Sequence, residues 1–286
     1  MSKIIFGIDV GGTTCKCGTF SKEGELLRKE EIPTRKDEGG SLILPDISEY
    51  IKGVLADMNM TTEDVAGIGM GLPGACLEDG TVNKCINLGW GVFNAANALS
   101  ELTGIPVKIG NDANMAALGE FWVGGGSEYN SMVMVGGGVI IDGKPLYGFN
   151  GAAGEIGHLP LVEGETESCN CGKKGCLEQV ASATGIVRTA NRMLAESDMP
   201  SSLRSVPYIS AKVIFDEAKG GDALAIQVTE YVCRYLGKGL ACAAGMVDPE
   251  VFVIGGGVSA AGEYFINLID KYYKECVFHA SRQTKI

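Results

Sequence analysis

The chain opens on an apolar run, Lys3 to Val10, that stops at Gly11-Gly12. Cys15 to Phe20 and Leu26 to Ile32 follow, separated by the polar turn Lys22-Glu23-Gly24-Glu25. Short apolar runs bounded by glycine and charge predict three strands joined by tight turns, a β-meander. From Asp46 the apolar residues Ile47, Ile51, Val54, Leu55 and Met58 recur at helical spacing, with Asp46 as the expected N-cap. Val65 to Met70 and Val107 to Gly110 read as further strands. The pattern then recurs: an apolar strand Ser131 to Val135, the turn Gly136-Gly137-Gly138, a strand Val139 to Ile141, the turn Asp142-Gly143, and Pro145-Leu146-Tyr147 continuing outward. Strand, glycine turn, strand, turn, strand thus occurs twice, which predicts two related lobes. After residue 178 the pattern is mostly helical, over Gln179 to Ala195, Ser210 to Ala218 and Asp222 to Met246. A short buried strand, Val251 to Ile254, runs into Gly255-Gly256-Gly257. The expected fold class is α/β, with a smaller lobe over 1–112 and a larger one over 113–286.

Composition narrows the function classes. With 286 residues, 45% of them hydrophobic, the chain can bury one large core or two lobes of roughly 100–200 residues each. A net charge of -11 argues against nucleic acid or an anionic membrane as partner, yet leaves room for a nucleotide held by backbone N–H groups and magnesium. No apolar run approaches the roughly 18–20 residues of a membrane span. The start, Met-Ser-Lys-Ile-Ile-Phe-Gly, reads as a strand and not as a signal peptide, so a cytoplasmic protein with reduced thiols is expected. Cys15, Cys17, Cys76, Cys85, Cys233, Cys242 and Cys276 sit among apolar neighbours and read as small core residues.

Three motifs carry candidate chemistry. In Asp9-Val10-Gly11-Gly12-Thr13-Thr14-Cys15-Lys16 a strand ends in a carboxylate, followed by a glycine turn, two hydroxyls and a lysine. Glycines let several N–H groups point into one concavity that suits phosphate oxygens, and Asp9 could orient hydrated magnesium. The same residues also read as an ordinary hairpin turn. In Asn111-Asp112-Ala113-Asn114, Asp112 is either a helix N-cap or a general base that accepts a hydroxyl proton. The third motif joins His158 to Cys169-Asn170-Cys171 and to Cys176. One imidazole and three thiolates make a closed tetrahedral set for structural zinc. Glu155 and Glu178 flank that set in sequence, so metal ligands would hold both carboxylates in fixed positions.

Together these segments resemble the ROK family (repressors, open reading frames and kinases) of the actin/hexokinase-like ATPase superfamily. The resemblance also covers Gly71-Leu72-Pro73-Gly74, Asn87-Leu88-Gly89-Trp90, Glu155-Ile156-Gly157-His158 and Gly255-Gly256-Gly257, and Cys176 to Gly185 looks like the bacterial glucokinase branch. It implies a two-lobed actin-like ATPase fold of ribonuclease H-like lobes with a structural zinc site. It implies transfer of a phosphoryl group from ATP, with magnesium, to the 6-hydroxyl of glucose, by a homodimer. Kinases for N-acetylmannosamine, fructose or allose, and a catalytically inactive sugar sensor, are the alternatives. In this resemblance Asp112 is the catalytic base. Gly74, Asn111, Asp112, Glu155, His158 and Glu178 contact sugar. Asp9, Gly11, Gly12, Thr13, Thr14 and Lys16 form the first phosphate loop, Gly136 and Gly137 belong to the second, and Gly255, Gly256 and Gly257 form the adenosine turn. The chain departs from the family pattern twice. Val135 runs straight into Gly136 where the family places a Thr-Gly-Thr-type segment, and Ile286 stands where the family continues with a strand and a helix. The expectation is that the protein has both segments and that a mobile phosphate loop belongs at Val135–Gly136.

Overall fold

The computed structural model describes residues 3–286. The polypeptide packs as two compact units, each around its own hydrophobic core. One comprises the chain up to Leu118 with Pro145–Ala153, and the other comprises Gly119–Lys144 with Gly154–Ile286. The division falls inside the helix Asp112–Val123. Its first turns belong with the first unit because Met115 lies against Gly71 and Gly110.

The first unit contains β1 (Ile4–Val10), β2 (Thr14–Ser21), β3 (Leu26–Pro33), β4 (Val65–Leu72), β5 (Ala75–Cys76), β6 (Thr81–Lys84), β7 (Phe93–Asn94) and β8 (Val107–Asn111). The main sheet runs β3-β2-β1-β4-β8, and β5-β6-β7 form a smaller one. The meander is antiparallel, whereas β4 joins β1 and β8 joins β4 in parallel. Alternation along β1 buries Ile4, Phe6, Ile8 and Val10. The connection from β3 to β4 includes the helix Ile43–Asp57, which buries Ile47, Ile51, Val54 and Leu55.

That helix starts earlier than the sequence pattern predicts. Asp46 is not its N-cap but lies in its first turn, where a carboxylate faces the positive end of the helix dipole. The Arg35 guanidinium grips it through Nε and Nη2. Pro45 sits in the same first turn, where its missing N–H has no partner to lose.

Ahead of the helix, Glu38, Gly39 and Gly40 all take left-handed backbone angles. The Gly40 carbonyl accepts the Trp90 indole N–H at 3.0 Å. A Cβ on Gly40, at φ +75°, would lie 2.3 Å from the Leu88 carbonyl oxygen and 2.7 Å from Trp90 Nε1. Gly40→Ala is therefore expected to cost roughly 2 kcal/mol or more, through strain and displaced backbone. Thermal or urea unfolding reads this directly, and wild-type stability would refute it.

The second unit carries the sheet β11-β10-β9-β12, built from β9 (Met132–Val135), β10 (Val139–Ile141), β11 (Lys144–Pro145) and β12 (Val251–Ile254). Asp142 and Gly143 both have positive φ, as a two-residue hairpin turn requires. β12 runs parallel to β9, and Lys285 forms a parallel bridge to Val251. Both sheets thus share one plan: an antiparallel meander, with a parallel strand beside its first member. In this chain Val135 enters a tight glycine turn, in which Gly137 N–H donates to the Met134 carbonyl at 3.1 Å and Met134 N–H to that of Gly138 at 2.9 Å.

The helices of this unit include Ala183–Glu196, Ala211–Lys219, Ala223–Val247 and Glu263–Cys276. Ser210 and Asp222 cap the second and third. The helix expected from Gln179 to Ala195 is broken. Ser182 is extended and accepts the Gly185 N–H at 3.1 Å, which ends the short turn Glu178–Ala181 and starts a new helix. Cys15, Cys17, Cys76, Cys85 and Cys233 are buried as expected. Cys242 and Cys276 are not core residues but exposed. Cys242 falls off the buried stripe of its helix, which runs through Leu236, Leu240 and Ala243. Among the described residues no helix is long and apolar enough to cross a membrane.

Candidate functional site

Strand register in the first unit gathers three segments that lie far apart in sequence. Asp9 pairs with Gly71 across β1 and β4, and Leu72 pairs with Asn111 across β4 and β8. The Gly11-Gly12 turn, the Pro73-Gly74 loop and Asn111-Asp112 therefore leave the carboxyl ends of three adjacent parallel strands. That edge is where α/β sheets present loops to ligands.

The glycine turn after β1 is closed by Gly11 N–H donating to the Thr14 carbonyl at 2.9 Å. A Cβ on Gly11 would lie 2.8 Å from that oxygen, so glycine is required for the close approach. Thr34, which sequence reading passed over, braces the turn. Its hydroxyl donates to the Gly11 carbonyl at 2.8 Å and its N–H to the Thr13 carbonyl at 2.9 Å. Asp9 and Lys16 face each other across β1 and β2 at 3.8 Å, both open to solvent. A single exposed carboxylate suits magnesium, which keeps most of its waters.

Asn111, not Asp112, caps the following helix. Its Oδ1 accepts the N–H groups of Ala113 at 2.9 Å and Asn114 at 3.2 Å. Its Nδ2 donates to the Gly74 carbonyl at 3.3 Å, tying the cap to the neighbouring loop. That loop is further held by two thiols: Cys85 donates to the Pro73 carbonyl at 3.2 Å and Cys76 to the Gly74 carbonyl at 3.6 Å. Asp112 takes only the Ala113 N–H, at 2.8 Å, and opens to solvent. Loss of hydration on its protein side raises its pKa above the usual aspartate value, and the negative charge of Asp9 adds to the rise.

In the second unit the zinc motif comes together. Ligand atoms of His158, Cys169, Cys171 and Cys176 all lie within 4.8 Å of one another. Zinc with bonds to sulfur of about 2.3 Å needs tetrahedral edges of about 3.8 Å. Cys171 and Cys176 sulfurs stand 3.5 Å apart, and Cys169 Sγ is 3.7 Å from His158 Nδ1. The residues therefore fit the ion. His158 Nδ1 faces the thiols, and Nε2 lies 3.9 Å from Glu155. Glu178 Oε1 accepts from Cys169 at 2.7 Å and is 3.5 Å from His158 Nδ1. Sequence adjacency to the zinc motif thus becomes spatial contact for both glutamates.

The other glycine segments of this unit also converge. Ile254 pairs in parallel with Val135, so Gly136-Gly137 and Gly255-Gly256-Gly257 leave neighbouring strand ends. Gly136 and Gly256 have positive φ, and a Cβ on either would meet open space.

The chain is similar to known proteins over nearly its whole length. A family model described as the ROK family matches residues 5–286. A glucokinase of Halalkalibacterium halodurans is 40% identical over 94% of this chain and 84% of its own length. An N-acetylmannosamine kinase of Citrobacter koseri is 30% identical over 90% of this chain and 84% of its own. Among solved structures, a ROK family glucokinase from Streptomyces griseus in complex with glucose and AMPPNP has a TM-score of 0.69 and 30% identity, covering 96% of this chain and 90% of the other. The chain belongs to the ROK family.

Proposed function

We propose that this protein is an ATP-dependent hexose kinase whose preferred acceptor is glucose, phosphorylated at the 6-hydroxyl. The observation that carries the reading is the shared strand edge in the first unit, where Asp112 stands free of the capping role beside a braced glycine turn. The glucokinase relatives and the glucokinase structure with glucose and AMPPNP support the choice of substrates.

Phosphoryl transfer asks a protein mainly for positioning and charge neutralisation. In this reading N–H groups of the Gly11-Gly12 turn and the hydroxyls of Thr13 and Thr14 receive phosphate oxygens, and Lys16 adds positive charge. Asp9 would hold hydrated magnesium, which supplies charge neutralisation on the phosphates. In the second unit, considered by itself, Gly136, Gly256 and Gly257 offer open backbone of the kind a nucleotide requires. Asn111 and the Gly74 loop hold sugar hydroxyls, and Asp112 accepts the proton of the attacking one. Its raised pKa makes it a stronger base than an ordinary aspartate. His158, Cys169, Cys171 and Cys176 would hold a structural zinc. An imidazole ligated through Nδ1 keeps its proton on Nε2, a fixed donor for a hydroxyl, alongside the carboxylates of Glu155 and Glu178.

The N-acetylmannosamine kinase relative favours one second reading, a kinase for that sugar. An ATP-coupled assay across glucose, fructose, allose and N-acetylmannosamine separates the two. Glucose is expected to give the highest kcat/KM. A higher value for N-acetylmannosamine would replace the acceptor, and ATP turnover with none of the sugars would refute the kinase reading.

A further inference from the structure

The zinc loop is tied to the helix behind it by a network in which no zinc-ligating side chain takes part. Arg188, on the helix Ala183–Glu196, donates from Nη1 to Glu167 at 2.8 Å. Its Nη2 donates to Glu165 and, at 3.0 Å, to the Gln179 carbonyl. The Glu165 side chain is only 6% exposed. Burial alone would raise its pKa, but the Arg188 bond and the N–H of Glu167 outweigh that and hold it below the usual carboxylate range. Gln179 completes the circuit. Its Nε2 donates to the Glu167 carbonyl at 3.1 Å, and its Oε1 accepts the Cys176 N–H at 3.1 Å. The guanidinium thus fastens the strand of chain entering Cys169, while the Gln179 amide fastens that chain to the backbone of Cys176.

We infer that Arg188 is a positioning residue for the metal: with Glu165, Glu167 and Gln179 it holds the Cys169 and Cys176 ends of the zinc loop at ligating separation. The inference rests on the zinc reading above. The physical reason is entropic. A loop whose two ends are fixed before the ion arrives loses less freedom on binding, so the ion binds more tightly. A planar fork that grips two carboxylates and a carbonyl does this with one side chain, and lysine cannot reproduce it.

The test uses the full chain. Zinc content is measured first, then zinc affinity by competition with a chromophoric chelator, well below the unfolding temperature. Arg188→Met is expected to weaken zinc binding by about 10–100-fold, the usual scale for residues that orient metal ligands. Arg188→Lys and Glu167→Gln are expected to lose less and to fold, so they carry the test if Arg188→Met does not. Ile214→Val, in the buried core of the same unit, is the control. It should lower stability and leave zinc affinity unchanged. A folded Arg188→Met with wild-type zinc affinity overturns the inference, as does an equal affinity loss in Ile214→Val. Wild-type protein without zinc overturns both this inference and the zinc assignment, and the initial metal measurement tells that failure apart.

Discussion

Asp112→Asn is expected to fold, to bind glucose with modest change, and to lose turnover by on the order of 10²–10⁴, the usual range for a removed general base. The substitution isolates one function because the helix does not depend on it. Asn111 supplies the cap, and an amide oxygen at position 112 can still accept the Ala113 N–H that Asp112 now takes. If Asp112 were only a structural residue, the variant would phosphorylate glucose nearly normally. Stability should move the other way. A carboxyl whose folded pKa is raised binds its proton more tightly in the fold than in the unfolded chain, so its ionised form costs stability above that pKa. Above that pKa the neutral amide escapes this cost, and the variant should melt no lower than wild type. As pH falls through the raised pKa the difference should close. The same shift predicts that the acid limb of kcat/KM lies above the ordinary aspartate range. Asp9→Asn should move that limb to lower pH, whatever it does to its height. Near wild-type turnover in a folded Asp112→Asn protein would overturn the catalytic assignment.

How far sequence alone reached depended on how local each signal was. The two meanders were legible because alternation and glycine turns are written into consecutive residues, as in β1 with its buried Ile4, Phe6, Ile8 and Val10. The cluster of His158, Cys169, Cys171 and Cys176 was legible because only two histidines occur in the chain and one falls near closely spaced cysteines. Helix starts were less so. Asp46 looks like the boundary residue, but the buried pair Ile43 and Leu44 carries the helix further back. Asn111 and Asp112 are both good caps and adjacent, so pattern cannot choose between them. The choice follows from which one still lies in β8 when the helix begins.

What sequence could not supply was register. Asp9, Gly71 and Asn111 meet through parallel pairing of distant strands, and nothing local encodes it. The braces were missed for the same reason. Thr34 holds Gly11 and Thr13 because β3 ends beside the turn, with Pro33 opposite Thr14. Arg188 meets Glu165 and Glu167 only because its helix packs behind the zinc loop. In each case the candidate residue was visible and the residue that braces it was not.

The cluster of three cysteines and one histidine gives the second large effect. In a protein where the four residues bind no metal, Cys171→Ser should be nearly silent, because Cys171 is exposed and surface substitutions usually change stability by about 0.5 kcal/mol or less. If zinc is bound, the same change removes one of four ligands from a closed tetrahedral set. Structural zinc contributes about 10–16 kcal/mol in small zinc-dependent domains, a scale comparable to the whole stability of a typical fold. Even partial loss should then be visible. Zinc content should fall from one ion per chain to well below it, and the melting temperature should drop by many degrees. Sugar binding should weaken too, because His158 would lose the ion that fixes its Nδ1 and hence the proton on Nε2. A chelator applied to wild-type protein should reproduce all three changes, and zinc restored to it should reverse them. Elemental analysis of purified wild-type protein and of Cys171→Ser, with calorimetric titration of glucose, measures each part. An unchanged melting temperature and unchanged glucose affinity in Cys171→Ser would mean that the thiols hold no structural ion and that His158 is oriented by the glutamates alone.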